Sequence, residues 1–405
     1  MALAATQTKK TRVRSERVRA SDVVRAPTRD IKPSVQNLLW GRAAGRCQFD
    51  NCNRPLTRAP ASQGTRNIAE KAHIYAFSLG GPRADDAWPA ELLNEVENRL
   101  LVGHDCHVII DEGNGPEQYR ADALMEMKRR HEQRIEIATG IAPSLSSHVL
   151  TYGTYVGAHQ ALPSFNDAAL AIFPVRVPAT ATIIELGTRT GSQRDRDDAF
   201  WVEQRRELQY QFGRQIRTPI ERGDIAHVSV FSLAPQPLLI QLGVLMGDIT
   251  PADTFQRHRE PPGWGWPSEA ALVPFDVSAP ADVGGIPALV LAISATITPE
   301  RVTRILGNDA AVWTITVPEP HNDIVKARGM LSAFRLEVRK VLDRIKAKHG
   351  HTTPIHIFPA LPVSLAIELG RARMPKADAP WLLYDEQQSR GGFVRAFTIT
   401  AETDA

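Results

Sequence analysis

The chain has 405 residues, 43% of them hydrophobic and 23% charged, with a formal charge of only +3. At ~100–200 residues per domain, this predicts two or three globular domains with sizeable cores. No apolar run approaches the ~18–20 residues of a membrane span and the N-terminus lacks the apolar stretch of a signal peptide, which excludes a membrane protein and predicts a cytoplasmic one.

In chain order, residues 1–33 form a basic flexible arm. Residues 1–31 carry eight Lys/Arg against three Asp/Glu, an excess larger than that of the whole chain. Such an arm either stays solvated or orders on a polyanion, where each neutralised phosphate releases counterions. A helix is predicted after Lys32-Pro33, with Val35, Leu38, Leu39 and Ala43-Ala44 at helical spacing. Cys47 and Cys52 then read as a knuckle that brings two thiolates together. Their odd-numbered company, Cys106, argues against a disulfide framework and supplies a third metal ligand.

Asn67 to Ile74 is predicted as a short strand ending at His73, followed by the turn-rich run S-L-G-G-P-R-A-D-D. Leu92-Leu93 fall in a short helix or turn, and Asn98 to Val102 is predicted as a second strand. Cys106 to Asp111 begins a further element, and Ala121 to Ile137 is an amphipathic helix with Leu124, Met127, His131 and Ile135 on one face. Strand, strand, helix is the order of a ββα-metal nuclease.

Residues about 40–137 accordingly resemble an HNH endonuclease. The resemblance implies that His73 is the general base, that Asn98 orients it, and that His107 binds a catalytic Mg²⁺ or Mn²⁺ ion. The types suit phosphodiester hydrolysis: an imidazole takes a proton from water near neutrality, and a dication neutralises the phosphate and the leaving oxygen. Two departures stand out. Ala72 precedes His73 where many relatives place a metal ligand, so Glu70 or Asp111 has to compensate, or water completes the shell. The C-x-x-C-H pattern lacks its first cysteine, since the run is Gly103-His104-Asp105-Cys106-His107. A structural Zn²⁺ on Cys47, Cys52 and Cys106 therefore needs a fourth ligand, expected to be His104, with His131 next.

Residues 34–140 are assigned to this HNH domain, 141–170, which lack a regular period, to a connector, and 171–405 to a second domain. Ala226 to Gly243 matches Thr353 to Gly370 at a constant offset of 127, with Phe, Pro, Leu, Ile, Leu and Gly coinciding. The second domain is thus expected to be two related halves, about 171–285 and 286–405. Each half reads as α/β. Thr182 to Leu186 is a strand and Asp198 to about Arg217 a helix stopped by Pro219, while Trp313 to Val317 is a strand and Asp323 to Lys348 a helix. Each repeated strand leads through a Pro-containing turn into a helix entered at Pro237 or Ser364. Parallel sheets in two Rossmann-like halves are expected, with ligands beyond the strand ends near helix N-termini. No G-x-G-x-x-G occurs, so a conventional dinucleotide is not indicated.

Two fused halves, with Trp264-Gly-Trp266-Pro-Ser and F-P-A-L-P-V-S-L-A-I-E-L-G-R, resemble the SAVED domain, a fusion of two CARF-like units. HNH followed by SAVED resembles the effector nuclease of CBASS, a bacterial antiphage system. The resemblance implies a double-stranded DNA endonuclease activated by a cyclic dinucleotide or oligonucleotide and assembling as a dimer or tetramer. Candidate nucleotide-binding residues are Gln236 and Ser364 at equivalent helix starts, Trp264 or Trp266 as stacking partners, and Tyr384. Two other readings remain open: a nucleotide-binding regulator with a non-catalytic zinc-stapled DNA-binding module, and a constitutive restriction-type nuclease. Outside the arm the chain holds 40 Lys/Arg against 42 Asp/Glu, a poor balance for a large DNA-reading surface.

Overall fold

The structure is a computed structural model that describes residues 30–59, 61–78, 81–85, 88–154, 162–187, 198–248, 250–267, 269–387 and 390–401. The basic arm, up to residue 29, lies outside the described residues. The chain divides into two compact units, Met1–Thr139 and Gly140–Ala405. Among the described residues, no helix is long and apolar enough to cross a membrane.

The first unit begins with α1 (Pro33–Ala43), where a proline at the start costs no hydrogen bond and Val35, Leu39 and Ala43 line one buried stripe. Ala44, at φ 50°, ends the helix in the left-handed region. Asn51 and Asn53, at φ 64° and 46°, then turn the cysteine-bearing loop, as asparagine does more readily than most residues. β1 (Ala69–His73) pairs antiparallel with β2 (Arg99–Gly103), with His73 opposite Arg99 and Ala69 opposite Gly103. α2 (His104–Asp111) follows β2 directly, then α3 (Gly115–Gln118) and α4 (Ala121–Gly140). All five residues of β2 are buried, in a core that includes Leu39, Leu56, Ile74, Ile110 and Leu124.

The second unit contains two sheets. The first is built from β3 (Ser146–Gly153), β4 (Val177–Leu186), β5 (Val228–Leu233) and β6 (Ala252–Thr254), in the order β4-β3-β5-β6 and parallel throughout. Between these strands lie α5 (Phe165–Ile172), α6 (Asp198–Phe212), α7 (Thr218–Glu221) and α8 (Gln236–Met246). A small hairpin of β7 (His258–Arg259) and β8 (Pro262–Gly263) follows. The second sheet uses β9 (Asp276–Ser278), β10 (Ile286–Ala292), β11 (Ala310–Thr316), β12 (Ile355–Ala360), β13 (Trp381–Gln387) and β14 (Gly392–Ile399), in the order β14-β13-β12-β10-β11-β9. Its helices are α9 (Pro299–Leu306), α10 (Gly329–His349) and α11 (Val363–Arg371).

The repeat is visible in three dimensions. Adding 127 carries β5 onto β12 and the first residue of α8 onto that of α11, and β4-β3-β5-β6 corresponds to β11-β10-β12-β13, also parallel. β9 and β14 extend the second sheet at its edges as antiparallel strands. That sheet is therefore mixed, against the expectation of parallel sheets alone, and β9 joins it from ahead of residue 286. Residues 141–170 also depart from a connector: they hold β3, which pairs with both β4 and β5. Five of its residues in succession, Val149 to Gly153, are buried, so it shows no two-residue alternation to read.

Two helix boundaries differ as well. The helical run continues past Pro219, because a π-helical turn at Gly213–Arg217 restarts it as α7 with the proline in its first turn, where no backbone donor is needed. α10 begins at Gly329 rather than Asp323, whose carboxylate accepts from the Arg259 and Glu260 N–H groups, each at 3.1 Å.

Candidate active site

Because α2 starts where β2 ends, His104, His107 and Asp111 fall at helical positions that share a face. That face meets Glu70 of β1. Glu70 Oε1 lies 2.7 Å from His104 Nδ1 and its Oε2 lies 2.5 Å from His107 Nδ1, while His107 Nε2 is 3.1 Å from Asp111 Oδ2. Both nitrogens of His107 thus face carboxylates. Asp111 and then Glu70 hold the His107 imidazolium and raise its pKa. His107, and after it His104, hold Glu70 below the usual carboxylate range. Burial pushes Asp111 up, but its bonds to His107 and Arg83 outweigh this and leave it lowered.

Arg83 was not singled out from the sequence. Its guanidinium donates to Ile74 O (2.9 Å), Ile110 O (2.9 Å), His73 O (3.3 Å) and Asp111 Oδ1 (2.5 Å), tying the end of β1 to the end of α2. An arginine in a Gly/Pro-rich turn carries no periodic signal, and only its φ of 58° marks it locally as unusual.

His73 lies three residues after Glu70 on the same strand, so alternation directs the two side chains to opposite faces of β1. Its Nδ1 is 3.4 Å from Arg99 Nη1. Arginine has only donors, so Nδ1 accepts in that contact. Asn98 is fully buried and acts on backbone: Oδ1 accepts from Tyr75 N (2.7 Å), and Nδ2 donates to Tyr75 O (3.0 Å) and Leu93 O (3.1 Å). It fixes the chain just beyond His73 rather than touching the ring.

Cys47, Cys52 and Cys106 bring their sulfurs within 4.8 Å of one another, the only such group of metal-ligating side chains among the described residues. This is a zinc donor set short of one corner. Burial raises the Cys47 and Cys106 thiols, as it must where soft ligands are packed with no cation between them. His104 is not the missing ligand, because it is bonded to Glu70 and 72% exposed. Nor is His131, whose Nε2 donates to Ala43 O at 3.1 Å. Gly103 stands where C-x-x-C-H has its first cysteine, and a Cβ there would lie 2.1 Å from Arg54 Nη2. The room for that cysteine is taken by Arg54, which bonds Asp105 at 2.8 Å.

The candidate nucleotide-binding residues are spread through the second unit. Gln236 Oε1 accepts from Leu361 N (2.9 Å), and the fully buried Ser364 hydroxyl donates to Gln256 Oε1 (2.8 Å), so each links one half to the other. Trp264 is 4% exposed, edge-on to Phe231, and helps to wall a cavity of 450 Å³ with Arg257. Trp266 sits edge-on to His258, and Tyr384 stacks on Phe358 with its hydroxyl 2.9 Å from His356 Nδ1. The fold brings Gln236 and Ser364 to neighbouring helix starts and commits Trp264 and Tyr384 largely to packing.

Residues 208–399 match the family model of the SMODS-associated and fused to various effectors sensor domain, SAVED. Similar solved structures include the Acinetobacter baumannii Cap4 SAVED/CARF-domain containing receptor with 2'3'3'-cAAA, at 11% identity and TM-score 0.40, covering 70% of this chain and 61% of that one. The same receptor with 3'3'3'-cAAA gives 11% and 0.41 over 78% and 67%, and the Moraxella osloensis Cap4 receptor 11% and 0.39 over 70% and 60%. The chain therefore spans about six tenths of the first of these receptors. No curated protein matches the chain. Its C-terminal part is a SAVED sensor domain, α/β in class with one parallel and one mixed sheet.

Proposed function

We propose that the protein is a metal-dependent endonuclease for double-stranded DNA, switched on when its SAVED domain binds a cyclic oligonucleotide, and that it serves bacterial antiphage defence. The observation that carries the cutting half is His107, flanked by Glu70 and Asp111 beside the β1–β2 hairpin. Two carboxylates and an imidazole are donors suited to a hard dication, although both ring nitrogens are engaged by carboxylates here. In this reading Glu70, His107 and Asp111 hold Mg²⁺ or Mn²⁺, which when bound neutralises the attacked phosphate and the leaving oxygen. His73 takes the proton of the attacking water at Nδ1 once water replaces Arg99 there. Asn98 and Arg83 keep the backbone around His73 in place. Cys47, Cys52 and Cys106 hold Zn²⁺, which supplies folding energy to the knuckle.

The sensing half rests on the SAVED match and on the cyclic trinucleotides bound by the Cap4 receptors. A nucleotide activates only by binding the cutting assembly, a dimer or tetramer, better than the idle chain. The test is plasmid cleavage with Mg²⁺ or Mn²⁺ and a panel of cyclic di- and trinucleotides. Cleavage by the wild type with one nucleotide only, and none by His73→Ala that still binds it, is expected. An intact plasmid under every condition favours a binding regulator, and cutting without nucleotide favours a constitutive nuclease.

A further inference from the structure

α8 and α11 come together again at their C-terminal ends, away from Gln236 and Ser364. Arg371, the last residue of α11, donates to Gly247 O (3.3 Å) and Thr250 O (3.2 Å), just beyond α8. The segments leaving the two helices wall a cavity of 540 Å³, within the roughly 300–1,000 Å³ usual for small-molecule sites. Phe212, Ile220, Leu245 and Met246 give it an apolar side, and Arg217 and Arg373 lie on its wall. Its charged residues are three cations, Lys376 being the third, and two carboxylates, Glu221 and Asp248.

Arg373 is 4% exposed, with its guanidinium 5.6 Å from the centre of the Trp381 ring. Burial pushes it down to about 10, and Asp378 offsets only part of this. The two oxygens of Asp378 are themselves held by Arg339, at 2.7 and 2.6 Å. A guanidinium kept at low dielectric on the wall of an apolar cavity favours an anion there more strongly than a solvated one does.

We infer that this cavity is a second ligand site, which takes a small organic anion with its apolar body against Phe212, Ile220, Leu245 and Met246 and its anionic head on Arg373 and Arg217. The wall comes from both halves of the repeat, so an occupant fastens one half to the other at the end opposite Gln236 and Ser364. The inference does not depend on the nuclease reading.

The probe is 8-anilinonaphthalene-1-sulfonate, titrated by fluorescence into the full-length protein with uncharged N-phenyl-1-naphthylamine in parallel. Saturable binding of the sulfonate is expected. Arg373→Met should weaken it at least about tenfold, the loss of one charge-assisted bond, and Ile220→Trp, which fills the cavity, should abolish it. If Arg373→Met does not fold, as judged by its circular-dichroism melt, Arg217→Met carries the same expectation. Equal binding by wild type and all folded variants, or binding of the uncharged probe as tight as that of the sulfonate, overturns the inference. So does sulfonate binding that fades as protein concentration rises while the mass by sizing doubles, which assigns the cavity to a second copy.

Discussion

Gly243 and Gly370 hold the same place in the two copies of the repeat and meet where α8 crosses α11. A Cβ on Gly243 would lie 2.0 Å from the Ile367 carbonyl oxygen, and one on Gly370 2.0 Å from that of Ile240. The obstacle on each side is backbone, which cannot rotate away as a side chain does. Alanine would gain ~0.5–1 kcal/mol of helix propensity at either site, but forcing the helices apart costs more, so each Gly→Ala should destabilise by about 2 kcal/mol. The urea midpoint should fall at unchanged slope. The double variant should lose less than the sum, because helices already separated accept the second methyl at little cost. A Gly243→Ala protein as stable as wild type would show that this contact does not set the spacing.

The cysteine cluster yields a sharper test than removing a ligand. Arg54 fills the space of a fourth ligand by its flexible end, so Gly103→Cys should displace the guanidinium and complete a four-thiolate site. Zinc should then withstand a higher concentration of a competing chelator, while Cys52→Ser should lose metal and lower the melting temperature together. Measurement of zinc released per chain against chelator decides this. Unchanged retention in Gly103→Cys would mean that Arg54 does not yield.

What the sequence disclosed follows from what leaves a pattern. α4 was legible because its apolar stripe recurs at helical spacing, and β5–α8 with β12–α11 because they repeat at a fixed offset. β3 was missed because a central strand buried on both faces has no alternation. The pairing of Glu70 with His107 needed the strand register and the immediate start of α2, neither of which is written in residue types. His104 was assigned to zinc by its neighbours in sequence, yet a helix separates adjacent residues by about 100° and turns it toward Glu70 instead. Trp264 and Tyr384 look like exposed ligand contacts in sequence and are packed inside their halves.

Arg83 makes the backbone carrying His73 dependent on the end of α2. Its planar fork spans carbonyls of both elements and Asp111, which a single ammonium on a different stem cannot do. Arg83→Lys should therefore lose about 2–4 kcal/mol of stability in the first unit, since several acceptors at a side chain only 5% exposed go without their donors. Plasmid cleavage should fall at least about tenfold even well below the melting temperature. Cyclic-nucleotide binding, which belongs to the SAVED domain, should be unchanged. Wild-type cleavage by a destabilised Arg83→Lys protein would make Arg83 purely structural.

His227 gives the second unit a pH dependence of definite sign. The ring is 7% exposed, with Nδ1 2.9 Å from Ser147 Oγ and Nε2 3.6 Å from Asp253 Oδ2. Burial disfavours its charged form, Arg176 adds repulsion, and Asp253 opposes both incompletely, so its pKa is pushed down from 6.5 to about 4. The unfolded chain therefore takes up this proton first as pH falls. The contribution is fully present above about 6.5, is lost progressively between about 6.5 and 4, and is constant below that. Its full size is on the order of 3 kcal/mol, at about 1.4 kcal/mol per unit. Burial also lowers His258 and His356, which add to the same slope. The informative quantity is thus the difference from His227→Gln, which keeps a polar side chain near Ser147 and does not titrate. Urea unfolding at pH 7.5 and 4.5 should show a smaller loss in the variant, and superimposable pH profiles would show that His227 is not kept neutral by the fold.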